Sequence, residues 1–146
     1  MEFDVSRKLK DSVGDMIGVE LVSATDGRSV VRLDIDERHL NPFGFVNGTI
    51  GFALCDIAMG SAVATEMLKR KASSATVEIK VNYLKSARRG TLECESRAIH
   101  IGRRLATMEA EVRCGGDVII KATGTFALLD LTDEVREQID RTREGR

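Results

Sequence analysis

Asp56 is the one formal charge between Leu40 and Thr65, flanked by Gly48-Thr49-Ile50-Gly51-Phe52-Ala53-Leu54-Cys55 and Ile57-Ala58-Met59-Gly60-Ser61-Ala62-Val63-Ala64. If this stretch is a helix, the residues one turn away are Phe52, Ala53, Met59 and Gly60, so no Lys or Arg shares its face. A carboxylate taken out of water without a cation resists ionisation, and groups displaced in this way serve as acids, bases and nucleophiles. The plain alternative is a core Asp hydrogen-bonded to nearby backbone or to a cap, and the residues alone leave both readings open.

The elements that must hold Asp56 can be read from periodicity. The apolar run from Gly48 to Thr65 has the length of a membrane span, but a central Asp costs roughly 2.5 to 3.5 kcal/mol to insert. The run is also rich in Gly and Ala, which predicts the buried helix of a soluble domain. Before it, Val19 to Ala24 and Val30 to Ile35 read as two strands joined by Asp26-Gly27, a strong hairpin signal. After it, Thr76 to Tyr83 alternates, and Leu92, Cys94, Ser96 and Ala98 oppose Glu93, Glu95 and Arg97. Ala106, Met108, Ala110 and Val112 oppose Thr107, Glu109, Glu111 and Arg113, and Gly115-Gly116-Asp117 turns the chain into Val118, Ile120, Ala122, Phe126 and Leu128. The class is α+β: about six antiparallel strands and one long helix. A helix apolar nearly all round needs cover on more than one side, so the sheet is expected to curl around it. Such a sheet keeps edges, and pairing with a second copy about a two-fold axis hides them, which predicts a homodimer or homotetramer.

Length and charge set the outer bounds. The 146 residues make one domain with a core from about 15 to 130 and a charged tail over 131–146, where Val135 and Ile139 are the apolar helical positions. Met1 to Val13 is expected to form a short amphipathic helix through Phe3, Leu9 and Val13. A net charge of −1 gives no basic field for nucleic acid. Cys55, Cys94 and Cys114 lack metal or CxxC spacing, and His39 and His100 are the only histidines, so no metal site and a reducing compartment are expected. Met1-Glu2-Phe3-Asp4 is too acidic for a signal peptide, which points to the cytoplasm and away from a membrane.

The run His39-Leu40-Asn41-Pro42-Phe43-Gly44, then Asn47-Gly48, Leu54-Cys55-Asp56 and Gly60-Ser61-Ala62, resembles hotdog-fold acyl-CoA thioesterases of the phenylacetate-degradation (PaaI-like) type. The resemblance extends through Thr76 to Tyr83, Leu84-Lys85-Ser86-Ala87-Arg88-Arg89-Gly90, His100-Ile101-Gly102-Arg103-Arg104 and Ala122-Thr123-Gly124-Thr125-Phe126, covering roughly His39 to Leu129. It implies a hotdog fold and hydrolysis of an acyl-CoA thioester to a free acid and CoA. No cofactor is implied beyond the coenzyme A carried by the substrate. Asp56 would be nucleophile or general base. Gly48 would polarise the thioester carbonyl through its backbone N–H, at a helix N-terminus that favours developing negative charge. Asn41 would hold the thioester or a water, and Ser74 would position the water. The family's usual His-Gly-Gly is here Asn47-Gly48-Thr49, which keeps the glycine and places a good N-cap before it.

Asn47, His39, Arg88, Arg89, Gly102, Arg103 and Arg104 are assigned to substrate binding, the arginines toward the phosphates of CoA, with Lys69-Arg70-Lys71 a third basic cluster. The bland readings are solvated arginine pairs and a His39 that orders its loop. Phe43, Phe45, Phe52 and Met59 could line an acyl pocket or simply pack. Gly48 and Asp56 lie eight positions apart, roughly 12 Å along a helix, whereas a reacting carbon lies about 3 Å from each group. Active sites shared across a dimer interface are therefore expected. The alternative reading is a non-catalytic acyl-CoA-binding or sensing protein, which leaves Asp56 without a purpose. A hydratase is disfavoured because no histidine lies on or beside the helix.

Overall fold

The computed structural model describes residues 13–144. The expected helix over Met1 to Val13 therefore lies, but for its last residue, outside the described residues; a short helix, α1, runs Val13–Ile17.

Helix α2 runs Gly48–Arg70, five residues beyond the apolar run. Its buried residues, Gly51, Leu54, Cys55, Ala58, Met59, Ala62, Val63 and Met67, recur at helical spacing and form one stripe. The opposite face, with Phe52, Ala53, Asp56, Ile57, Gly60, Ser61 and Ala64, is half-buried or exposed. The sheet packs on one side of α2 and is not closed around it. Small residues on that second face explain why the sequence reads as apolar all round while only one stripe is packed.

Six antiparallel strands form the sheet: β1 (Glu20–Thr25), β2 (Arg28–Asp34), β3 (Ala72–Tyr83), β4 (Thr91–Ile101), β5 (Leu105–Cys114) and β6 (Asp117–Asp130). Their order across the sheet is β1-β2-β4-β5-β6-β3. The Asp26-Gly27 hairpin is present, with both residues at positive φ as a tight two-residue turn requires. The strand after α2 therefore lies at the far edge from the two before it, and among the described residues β3 pairs only with β6.

Register shifts interrupt the ladders at four places, among them one between Thr76 and Glu78 that leaves Val77 as an extra residue. The layers come close at two glycines, Gly51 of α2, where a Cβ would meet the Ile120 side chain, and Gly124 of β6, where it would meet backbone as well. A Cβ built at Gly124 would stand 2.8 Å from Met59 Sδ, 3.2 Å from Ile79 Cγ1 and 3.3 Å from the Glu78 carbonyl. Two polar ties cross the same layer. Ser29 Oγ donates to the Ala58 carbonyl at 2.6 Å, and the Gly27 N–H donates to Thr65 Oγ1 at 2.8 Å. The charged C-terminal segment forms a helix, α3 (Asp133–Glu144), anchored by Arg136 donating to the Lys71 carbonyl at 2.9 Å.

Gly124→Ala should lower stability by about 1 to 3 kcal/mol through overpacking against Met59 and backbone. Urea unfolding of the variant checks this, and a midpoint equal to wild type would show that the layer can yield.

Candidate active site

The loop before α2 is built by short-range hydrogen bonds. Asp36 caps a single 3-10 turn (Glu37–His39) and accepts from the backbone and guanidinium of Arg38, which hold its carboxyl down at about 2. His39 is 1% exposed; its Nδ1 accepts from the Asp36 N–H at 2.9 Å, and its Nε2, assigned as the protonated nitrogen by that acceptance, donates to the Ile17 carbonyl at 2.6 Å. Both nitrogens are used and no ligand can reach them, so His39 is a framework residue and not a substrate-binding one.

Asn41 Oδ1 accepts from the N–H groups of Phe43 (3.0 Å) and Phe45 (3.1 Å) and closes a turn in which Gly44 takes φ 79°. Its oxygen belongs to the loop, which leaves only its NH2 group as a donor toward a ligand. The Leu40–Val46 bridge and the Asn47 N–H to His39 carbonyl bond (2.8 Å) then deliver the chain to the start of α2. Asn47 is the N-cap: Oδ1 accepts from Thr49 N at 3.0 Å and from Thr49 Oγ1 at 2.6 Å. Its carboxamide oxygen is committed to the cap, and Thr49, which replaces the usual second glycine, completes it. Gly48 is the first helical residue and is exposed.

Asp56 sits two turns further on and is half-buried, not sunk as its neighbours in sequence suggested. Among the described residues it has no counter-ion; its hydrogen-bond partner there is Thr76, whose Oγ1 donates to Oδ1 at 2.8 Å. The second carboxylate oxygen remains available. Ser74, predicted for the hydroxyl role, lies two residues earlier on β3 and makes no hydrogen bond to Asp56.

The extra residue Val77 turns Thr76 toward the helix. Strict alternation puts Thr76 on the face of Glu78 and Lys80, away from the helix. Across the bulge the parity changes, so Thr76 reaches Asp56 while Ile79 and Val81 still pack on the core and Glu78 Oε1 on the outer face accepts from Thr125.

The basic residues separate into two groups. Arg88 lies 3.8 Å over the centroid of Phe45, and the Val46 N–H to Ala87 carbonyl bond (2.8 Å) docks its loop beside the start of α2. Arg89 is exposed in the same loop, its carbonyl accepting from Cys114 Sγ. Gly102, Arg103 and Arg104 form the β4–β5 turn at the other end of α2, where Arg70 donates to the Gly102 carbonyl at 2.8 Å. The two groups are about 33 Å apart along the helix and do not converge within one chain. Lys69 is engaged by Glu66 (2.8 Å) and Asp26 (3.0 Å), and Lys71 is the left-handed C-cap. Of the four residues offered for an acyl pocket, Met59 is core, Phe43 is 80% exposed, Phe52 is exposed and Phe45 lies under Arg88.

Residues 43–121 match the Thioesterase superfamily. The chain belongs to that family. It is 31% identical over 98 residues to the 1,4-dihydroxy-2-naphthoyl-CoA hydrolase of Listeria monocytogenes, covering 67% of this chain and 79% of that one. Among solved structures, a conserved protein of Pseudomonas aeruginosa is 36% identical with a TM-score of 0.76, covering 80% of this chain and 92% of its own. A variant of the phenylacetic acid degradation protein PaaI of Thermus thermophilus superposes with a TM-score of 0.73 at 24% identity, over 81% of this chain and 97% of that one. The helix on an open six-stranded antiparallel sheet is the hotdog fold of this superfamily.

For this thioesterase-superfamily chain, removing the Thr76 hydroxyl should matter more than removing that of Ser74. Loss of a hydrogen bond to a charged group, about 1.5 to 3 kcal/mol, corresponds to a drop of at least about tenfold in thioester hydrolysis for Thr76→Val. Ser74→Ala should stay within about twofold on the scale of an uninvolved surface change. Steady-state rates for the two variants check the order, and the reverse order would return the role to Ser74.

Proposed function

We propose that the protein is an acyl-CoA thioesterase whose active sites are completed by a second copy of the chain. The observation that carries this reading is the placement of Asp56, a carboxylate without a counter-ion among the described residues, held by Thr76 of the edge strand β3. A catalytic carboxylate needs a fixed oxygen and a free one, and the single neutral donor supplies that division.

The reaction proceeds by polarisation of the thioester carbonyl at the Gly48 N–H, where the start of α2 stabilises the charge gathering on oxygen. Asp56 then attacks the carbonyl carbon or takes a proton from an attacking water. On the first route the carbon–sulfur bond breaks to leave an Asp56–acyl anhydride, the thiolate takes a proton from solvent, and water hydrolyses the anhydride to the free acid. On the second the water oxygen bonds to the carbonyl carbon, the carbon–sulfur bond breaks, and the proton held by Asp56 passes to the departing sulfur, giving the CoA thiol and the free acid. Asn41 contributes its NH2 group as a donor from the loop that leads into α2. The Listeria relative, named as a CoA hydrolase, supports a CoA thioester as the substrate class.

Sharing follows from length and direction. Gly48 and Asp56 of one chain are about 12 Å apart along α2, too far to act on one carbonyl. Strand β3 runs from the C-terminal end of α2 to Tyr83 at its start, and its outer edge is unpaired among the described residues. Antiparallel pairing of two such edges reverses one copy relative to the other. The Gly48 end of one copy then approaches the Asp56–Thr76 stretch of the other. The same reversal brings the Arg88-Arg89 loop toward the other copy's Arg103-Arg104 turn, giving CoA phosphates cations from both chains. Val77, 58% exposed on that edge, and the half-buried Asp56 would then gain cover.

Thiol release over an acyl-CoA panel tests the chemistry: Asp56→Ala should abolish it, at least about a hundredfold down. Acyl-CoA binding without turnover in the wild type would favour the sensing role instead. Mixing Asp56→Asn chains with Gly48→Pro chains tests the sharing, since proline at the first helical position removes the N–H and keeps the helix. Random re-pairing should restore about a quarter of wild-type activity, because half the dimers are mixed and each has one intact site. No recovery on mixing would count against shared sites.

A further inference from the structure

Tyr83 is the single tyrosine and the last residue of β3. Its hydroxyl donates to the Gly48 carbonyl at 2.8 Å, joining residues 35 positions apart. Its ring lies flat on the same spot. A Cβ at Gly48 would meet Cζ, Cε1 and Oη at 3.3 to 3.4 Å, and one at Gly51 would meet Cε1 at 3.6 Å. Burial pushes the phenol up from its ordinary value, and the neighbouring Cys55 thiol adds to this, so the hydroxyl remains a donor through neutral and mildly alkaline pH.

Gly48 is the residue with most need of such a tie. A glycine opening a helix lets a ligand approach but has the widest backbone freedom of any residue, and the first turn has no earlier turn to hold it. The Gly48 carbonyl, second in the ladder after that of the N-cap Asn47, already faces the N–H of Phe52, so the Tyr83 hydroxyl is a second donor on the same oxygen. It links the first turn of the helix to the edge of the sheet. Half of Tyr83 remains exposed, so burial alone gives little reason for a tyrosine here.

We propose that Tyr83 is a positioning residue: its hydroxyl holds the Gly48–Thr49 peptide and its ring packs on Gly48, so that the backbone cannot swing about this glycine and the adjoining N–H of Gly48 keeps the direction a thioester oxygen can use. This rests on the thioesterase reading for its catalytic consequence, while the tie itself is measurable without a substrate. Tyr83→Phe keeps the ring and removes the donor; Tyr83→Ala removes both. Loss of the hydroxyl should lower kcat by about fivefold, the worth of one hydrogen bond, with KM within about twofold and an unchanged melting temperature. Tyr83→Ala should lose more. In the same Tyr83→Phe sample, the Phe52 amide, which donates to the Gly48 carbonyl one turn on, should exchange with solvent several-fold faster by NMR while amides of β4 and β5 keep their rates.

Wild-type kcat and unchanged Phe52 amide exchange in Tyr83→Phe would overturn the proposal. So would a raised KM at constant kcat, which would make Tyr83 a wall of the substrate site. Faster Phe52 amide exchange in Tyr83→Phe, in a protein that hydrolyses no thioester, would sink the enzymatic reading and leave the tie standing.

Discussion

The close contact between α2 and the sheet at Gly124 is the constraint on which the other features depend. Met59 Sδ, Ile79 and the Glu78 backbone crowd the place where a side chain would begin, so the strands can bend inward there and the helix can lie near them. That proximity lets a short side chain on β3 touch a short side chain on α2. Thr76 and Asp56 have little reach, and they meet because the layers are already close. With a larger residue in the layer, the pair would separate before either side chain changed.

The site is made of groups that each do one structural job and leave one atom over. Asn41 gives its oxygen to the Phe43–Phe45 turn and keeps its NH2; Asn47 gives its oxygen to the cap and leaves Gly48 bare; Asp56 gives one oxygen to Thr76 and keeps the other. Functional groups held in this way cost little further ordering when a ligand arrives, because their rotamers are fixed by the fold. His39 is the limiting case, with every polar atom used and nothing left for a ligand.

Much of the fold was legible because its signals are local. The alternation of Leu92 to Ala98 and Ala106 to Val112 falls within β4 and β5, and Asp26-Gly27 and Gly115-Gly116 are the turns that join β1 to β2 and β5 to β6. Asp56 was legible for the opposite reason, as a charge that broke its local pattern. What could not be read were partners distant in sequence. His39 was assigned to substrate because its bonds to Asp36 and Ile17 leave no periodic trace. Arg88 and Arg103 look alike in sequence, and only the fold separates them by the length of a helix. Tyr83 gave no signal beyond being an aromatic with a polar end, because its contact with Gly48 needs the whole of β3 to return it there.

The inserted Val77 has a further consequence for how this strand can vary. The polar stretch that serves Asp56 and the apolar stretch that serves the core are out of phase by one residue, and a single extra position reconciles them. The strand therefore obeys a counting rule as well as a chemical one. Substitutions can be absorbed one at a time, whereas losing or gaining a residue between Thr76 and Ile79 would turn the threonine outward or the isoleucine into water. Chain length in those few positions is for this reason more tightly constrained than the identity of any side chain within them.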